Sequence, residues 1–207
     1  ENTTLIFNGV LYGITPWSIA YAIDLRTHKE IWRADPAVDQ AVWQSRICCG
    51  VVNRGIALYE DKLIAPVVDG RLRALDAATG KVAWRVLLGG RIDSAPALSR
   101  GYCFVGCHDG WVYALRAKDG QLAWRTRVAP FERRIVVHGQ VESSWPAVGS
   151  VVVHEGVLYA NAGRGSEADG GVAVMALEPA TGKAVWSKFI GAGPQHRNDL
   201  LRIDNGV

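Results

Sequence analysis

Four segments of the chain share one pattern. AIDLRTHKEIW runs from Ala22 to Trp32, ALDAATGKVAW from Ala74 to Trp84, ALRAKDGQLAW from Ala114 to Trp124 and ALEPATGKAVW from Ala176 to Trp186. In each, Trp follows Ala ten positions later. Three carry Gly six positions after the Ala, at Gly80, Gly120 and Gly182, and the first has His28 there. Self-similarity at a fixed spacing marks a repeat architecture, in which each unit buries its apolar face against the next.

Each repeat reads as a hairpin. The Ala-Leu-Asp side alternates apolar and polar residues, as a half-buried strand does. Ala-Thr-Gly-Lys is turn chemistry, with Gly supplying positive φ. The Lys-Val-Ala-Trp return places a large aromatic at a fixed height. Upstream of each repeat lies a second strand pair with a polar or Gly-containing turn, as in GIALYEDKLIAPV and AVGSVVVHEGVLYAN. One unit is therefore about four antiparallel strands, the blade of a β-propeller. Long helical periodicity is absent.

The expected fold is all-β, with blades at roughly 1–35, 52–88, 92–128 and 143–190. Insertions fall at 36–51 and 129–142, between the regular units, where function tends to reside. LLRIDNGV, residues 200–207, reads as the opening strand of a further blade, with that unit beginning near 198. The sequence is thus expected to be part of a larger ring, of about eight blades.

Charge and motifs exclude several classes. The 23 Lys and Arg and 20 Asp and Glu are spread along the chain, for a net charge of +3. That is not the basic patch a nucleic-acid binder needs. No apolar run reaches the roughly 18–20 residues of a membrane span. The five histidines are scattered outside any zinc-type spacing, and neither G-x-G-x-x-G nor G-x-S-x-G occurs. The sequence opens on Glu1 without a charged-then-apolar leader, as expected of a processed chain or a piece of one.

Four cysteines do not make a disulfide scaffold in a chain of 207 residues. Two of them, Cys48 and Cys49, are adjacent. Consecutive Cα atoms lie about 3.8 Å apart, below the roughly 4.4–6.8 Å of an ordinary disulfide. A bond between them would be strained, so the residues alone leave two readings: reduced thiols in a loop, or a strained device. Cys103 and Cys107 share one face of a strand about 13 Å apart. They cannot bond each other and read as core. In the longest insertion, Glu142, Glu167 and Asp169 are candidates for a Ca²⁺ site, and Trp145 for stacking on a ring. The competing reading is a solvated loop.

The Ala…Asp…Thr-Gly…Trp unit resembles the repeat of the quinoprotein dehydrogenases, in which each blade's Trp stacks on the neighbouring blade. Residues 1–90, with ENTT at the start, the Cys48-Cys49 pair and Val-Asn-Arg-Gly at 52–55, are similar nearly end to end to the pyrroloquinoline quinone (PQQ)-dependent alcohol dehydrogenases. The resemblance implies that Glu1 and Arg54 contact PQQ and that a Cys48–Cys49 disulfide lies over the quinone ring. It implies Ca²⁺ as Lewis acid, a small alcohol as substrate, an electron acceptor such as a cytochrome c, and a periplasmic or secreted location. The catalytic base is expected outside this sequence. The third blade departs from the family: FVGCHDGWVYAL, Phe104–Leu115, stands where Gly-Gly-Ala-Glu would supply the calcium carboxylate. Residues 125–207 look more like the PQQ-like propeller repeats of large bacterial secreted proteins. The alternative function is a non-catalytic propeller serving as an envelope scaffold or interaction module.

Overall fold

The computed structural model describes residues 3–47, 51, 53–165, 170–191, 201 and 203. Four four-stranded antiparallel sheets follow one another along the chain. The first blade is β1 (Leu5–Phe7), β2 (Val10–Ile14), β3 (Ala20–Asp24) and β4 (Glu30–Ala34). The second is β5 (Ala57–Tyr59), β6 (Lys62–Pro66), β7 (Arg71–Asp76) and β8 (Val82–Leu87), and the third is β9 (Ala97–Ser99), β10 (Tyr102–Gly106), β11 (Trp111–Arg116) and β12 (Leu122–Arg127). A separate hairpin, β13 (Arg134–Val137) and β14 (Gln140–Ser143), precedes the fourth blade. That blade is β15 (Val152–His154), β16 (Val157–Ala162), β17 (Gly171–Leu177) and β18 (Ala184–Gly191). These are propeller blades, as the repeat spacing requires.

The blades pack face to face, so the middle strands are buried on both sides. In β6, Leu63 and Ala65 join the cluster of Tyr12, Trp32 and Leu75 between blades one and two. Ile64 points the other way, to Leu72, Trp84, Val105 and Leu115 between blades two and three. Period-two alternation thus divides one strand between two cores. Cys103 and Cys107 are buried free thiols in that second cluster, as expected. Phe104, Val112, Val128, Leu158 and Trp145 form the third.

The repeat's Trp and Gly meet across each junction. The indole N–H of Trp32 donates to Ala77 O (2.9 Å), that of Trp84 to Ala117 O (3.0 Å) and that of Trp124 to Pro179 O (2.9 Å). Each acceptor lies on the next blade, three residues past the repeat's Ala. Gly80, Gly120 and Gly182 have φ of +71°, +73° and +71° and lie under these rings. Trp186, the fourth, is 44% exposed.

Both insertions carry structure that the periodicity did not disclose. Residues 36–51 contain one helical turn, α1 (Gln40–Trp43), whose first turn is capped by Asp39 Oδ1 accepting from Val42 N at 3.1 Å. In 129–142, β13 and β14 meet through His138 and Gly139, both at positive φ, the geometry of a two-residue hairpin loop.

Antiparallel alternation fixes where these insertions emerge. Every connection after an even-numbered strand of a blade leaves at the same end of the sheets. That end therefore carries the turns after β2, β6, β10 and β16, together with the 35–56 and 128–151 connections.

Candidate functional site

On the side of blades one and two, the end face is organised around Ser18 and Asn53, both buried. Trp17 and Ser18 sit at φ +65° and +59°, the left-handed region that non-glycine residues seldom occupy. This turn directs Ser18 Oγ at Val68 N (3.2 Å) and Asn53 Nδ2 (3.3 Å). Asn53 also donates to Pro66 O (2.8 Å) and accepts from Gly55 N (3.1 Å). Its side chain thus pins the 35–56 connection to the end of β6. Arg54, between Asn53 and Gly55, is exposed, and no described carboxylate pairs with it.

Blade three presents a closed ionic network instead. His108, in the turn after β10, is 3% exposed. Its Nε2 lies 2.8 Å from Asp93 Oδ2 and its Nδ1 lies 3.1 Å from Glu142 Oε1. Arg91 joins Asp93 through Nε (2.8 Å) and Nη2 (3.0 Å). Arg164 closes the far side on Glu142 Oε2 at 2.7 Å. Burial pulls the His108 pKa down, but contact with Asp93 and Glu142 outweighs this and the net direction is up. Burial raises Asp93, yet His108 and Arg91 bring it to about 2. Glu142 is likewise lowered, against its burial, by His108 and Arg164. All three shifts favour the charged forms of these groups, although Arg91 Nη2 also lies 3.2 Å from His108 Nε2 and opposes a charge there.

The hairpin completes this wall. Its Ser143 N–H donates to His108 O (2.9 Å), and Ala147 N–H donates to Cys107 O (3.0 Å). At its tip, Gln140 Nε2 reaches across the face to Arg46 O at 2.7 Å. The hairpin thereby touches the connection that carries the two adjacent cysteines.

Comparison with known proteins adds the lineage. The family model described as outer membrane protein assembly factor BamB, one of the PQQ-type repeat models, matches residues 9–205. The chain belongs to the PQQ-repeat propeller family. It is 32% identical over 234 aligned residues to quinohemoprotein alcohol dehydrogenase ADH IIB of Pseudomonas putida, covering 93% of this chain and 34% of that protein. It is 36% identical over 140 residues to 1-butanol dehydrogenase (cytochrome c) of Thauera butanivorans, covering 63% of this chain and 20% of that protein. The crystal structure of quinohemoprotein alcohol dehydrogenase from Comamonas testosteroni superposes with a TM-score of 0.75 at 27% identity, over 91% of this chain and 34% of the other. The chain spans about a third of the length of the first two of these structures and sequences that it covers almost fully.

Against this family background, each expected site residue has a definite standing. Glu1, Cys48, Cys49, Glu167 and Asp169 lie outside the described residues. Arg54 stands on the open end face. Glu142 is not on a solvated loop: it is 3% exposed, because His108 and Arg164 draw it inward. Both its oxygens face cations, the reverse of a gathered Ca²⁺ shell. Trp145 is also interior, edge-on to Phe131 at 4.4 Å, with its N–H given to Gly171 O. Asp93, His108, Arg91 and Arg164 were not anticipated as a group.

The network makes stability of this propeller pH-dependent. A raised folded pKa for His108 adds stability that is complete below the ordinary histidine value of about 6.5 and is lost as pH rises through the folded value. A lowered Asp93 adds stability that is present above about 4 and is lost as pH falls toward about 2. Urea midpoints measured from pH 5 to pH 10 are expected to fall on the alkaline side in the wild type and to flatten in His108→Gln. Equal alkaline slopes in the two proteins would remove His108 as the cause.

Proposed function

We propose that this chain is a segment of a PQQ-dependent quinoprotein of the alcohol dehydrogenase type. It would act in the periplasm or outside the cell, pass electrons from a small alcohol to PQQ, and deliver them to a cytochrome-type acceptor. The observation that carries this reading is the end face of blades one and two. There Asn53 anchors Arg54 in an exposed position on the same 35–56 connection that bears Cys48-Cys49, within a chain related at 32% identity to a quinohemoprotein alcohol dehydrogenase.

These residues fit the cofactor's carboxylates. A guanidinium offers a planar fork matched to a carboxylate, and Arg54 has no described acidic partner to compete. A vicinal disulfide at Cys48-Cys49 would supply a stiff apolar plate against a planar ring, and it suits an oxidising compartment. When bound, the quinone would accept the electron pair of the alcohol. This chain's part is to hold and orient that ring.

The fit does not extend to calcium. Among the described residues no group of three His, Cys, Asp or Glu side chains could hold a metal ion. The third-blade turn that would offer a carboxylate holds His108 in closed ion pairs. That observation favours a second reading, a non-catalytic propeller serving as an envelope scaffold.

Quinone binding separates the two. Full-length protein would be titrated with PQQ in the presence of Ca²⁺, following fluorescence quenching and dye reduction with short alcohols. Arg54→Ala is expected to weaken PQQ binding roughly tenfold or more, and Cys48→Ser to lower turnover. If PQQ neither binds nor supports turnover in the wild type, the scaffold reading stands and the dehydrogenase reading is lost.

A further inference from the structure

The three described blade junctions provide an internal comparison. The residue before the repeat's Ala, the residue two earlier, and the residue after its Trp share one sheet face. They are Trp111, Tyr113 and Arg125 in blade three, and Ala173, Met175 and Ser187 in blade four. In blade two they are Arg71, Arg73 and Arg85, with Arg73 directly opposite Arg85. The crevices flanking blades three and four are lined mainly by apolar and aromatic groups, including Val86, Leu115 and Tyr113 in one and Val128 and Met175 in the other. The crevice between blades one and two instead sets three guanidinium groups around a cavity of about 120 Å³, walled also by Asp35, Pro36 and Val82.

Arg73 is the anomaly. It is 5% exposed. Its Nη2 donates to Ser18 O (2.7 Å) and Ala34 O (2.9 Å), both uncharged. Its Nε has no partner among the described residues. Burial, with Arg71 adding repulsion, lowers its pKa to about 10. The neighbouring acids do not cancel it. Asp69 is bonded to Arg71 Nε at 2.8 Å, and Asp35 is exposed and accepts from Ala37 N at 2.7 Å. Arg85 is exposed with no described acidic partner. A buried charge is costly unless something compensates it, and the same place in the next blade is filled by Tyr113.

We propose that this crevice is a binding site for a small tetrahedral oxyanion of the phosphate class, held by Arg73, Arg71 and Arg85. A tetrahedral ion presents acceptor oxygens in several directions at once, which suits guanidinium groups reaching in from different strand positions. A cavity needs only about 10–15 Å³ to admit a water, so this one has room for a larger guest. The site also ties two parts of the face together. Arg73 holds Ala34 O, the root of the 35–56 connection, and Ser18 O, the turn that positions Asn53. A bound anion would brace both. The proposal does not depend on quinone binding.

The test uses inorganic phosphate on the full-length protein at constant ionic strength, with chloride as control. Calorimetry is expected to show one saturable site, and the melting temperature to rise with phosphate beyond the chloride control. Arg85→Gln, an exposed change that leaves the core intact, is expected to weaken binding about tenfold. Arg73→Tyr installs blade three's residue and removes the bonds to Ser18 O and Ala34 O, so it should melt below wild type, abolish saturable binding and show no rise in melting temperature with phosphate beyond chloride. Glycerol phosphate distinguishes the sources. Binding as tight as that of phosphate assigns the site to an ester, and selective binding of phosphate assigns it to the free ion. Phosphate effects no larger than those of chloride, or saturable binding retained in Arg73→Tyr, would overturn the proposal.

Discussion

Glu142→Gln is expected to destabilise the propeller by about 3–5 kcal/mol, the usual cost of removing one partner from a buried ion pair. The carboxylate lies between His108 and Arg164, and both Glu142 and His108 are 3% exposed. The amide leaves His108 with Asp93 as its one carboxylate and leaves Arg164 on Ser143 O at 3.4 Å. Water cannot easily repair this, because the hairpin covers the site. The loss should depend on the charge of residue 108. His108→Val installs the residue type found at Val68, the same place in blade two, and removes the stranded cation. Added to Glu142→Gln, it should recover a large part of the loss, so the two changes should be strongly non-additive. Urea denaturation of the four proteins in this cycle measures the coupling. A cost below about 1 kcal/mol for Glu142→Gln would place it with exposed pairs and refute the description of a sealed network.

How far the sequence discloses this molecule depends on how local each signal is. The blades are legible because Ala and Trp at a fixed spacing are consecutive features of one hairpin. The β13–β14 hairpin was also legible, since VVHGQV places a turn-forming His-Gly between apolar residues; it is easily passed over because it lies outside the repeat. The ionic network is different in kind. Arg91, Asp93, His108, Glu142 and Arg164 come from four connections and meet only when blades three and four pack. No spacing rule reaches that far. The repeat nevertheless leaves a trace. His108 stands where blade two has Val68, and Arg73 where blade three has Tyr113. A polar residue at a place another repeat makes apolar signals that something outside the repeat requires it. Arg54 is legible only through resemblance, because an exposed arginine has no pattern of its own.

Gly120→Ala is the second large effect, expected to cost about 2–5 kcal/mol. Two terms contribute. A left-handed residue with a Cβ costs roughly 1–2 kcal/mol, and Gly120 has φ +73°. Its added Cβ would also lie 2.6 Å from Trp84 Cε3, and overpacking of this sort costs about 1–3 kcal/mol more. Gly156 provides the control. It has φ +78°, but a Cβ there meets nothing within 4 Å, so Gly156→Ala should show the backbone term alone. The difference between the two melting shifts isolates the Trp84 contact, and equal shifts would show that the ring moves aside freely. The backbone term also applies to the first repeat. His28 occupies the Gly position at φ +58° and is exposed. His28→Gly is expected to raise stability, by up to about 1 kcal/mol, because glycine removes the left-handed cost of a Cβ at this exposed position; an unchanged urea midpoint would show that the turn carries no such cost.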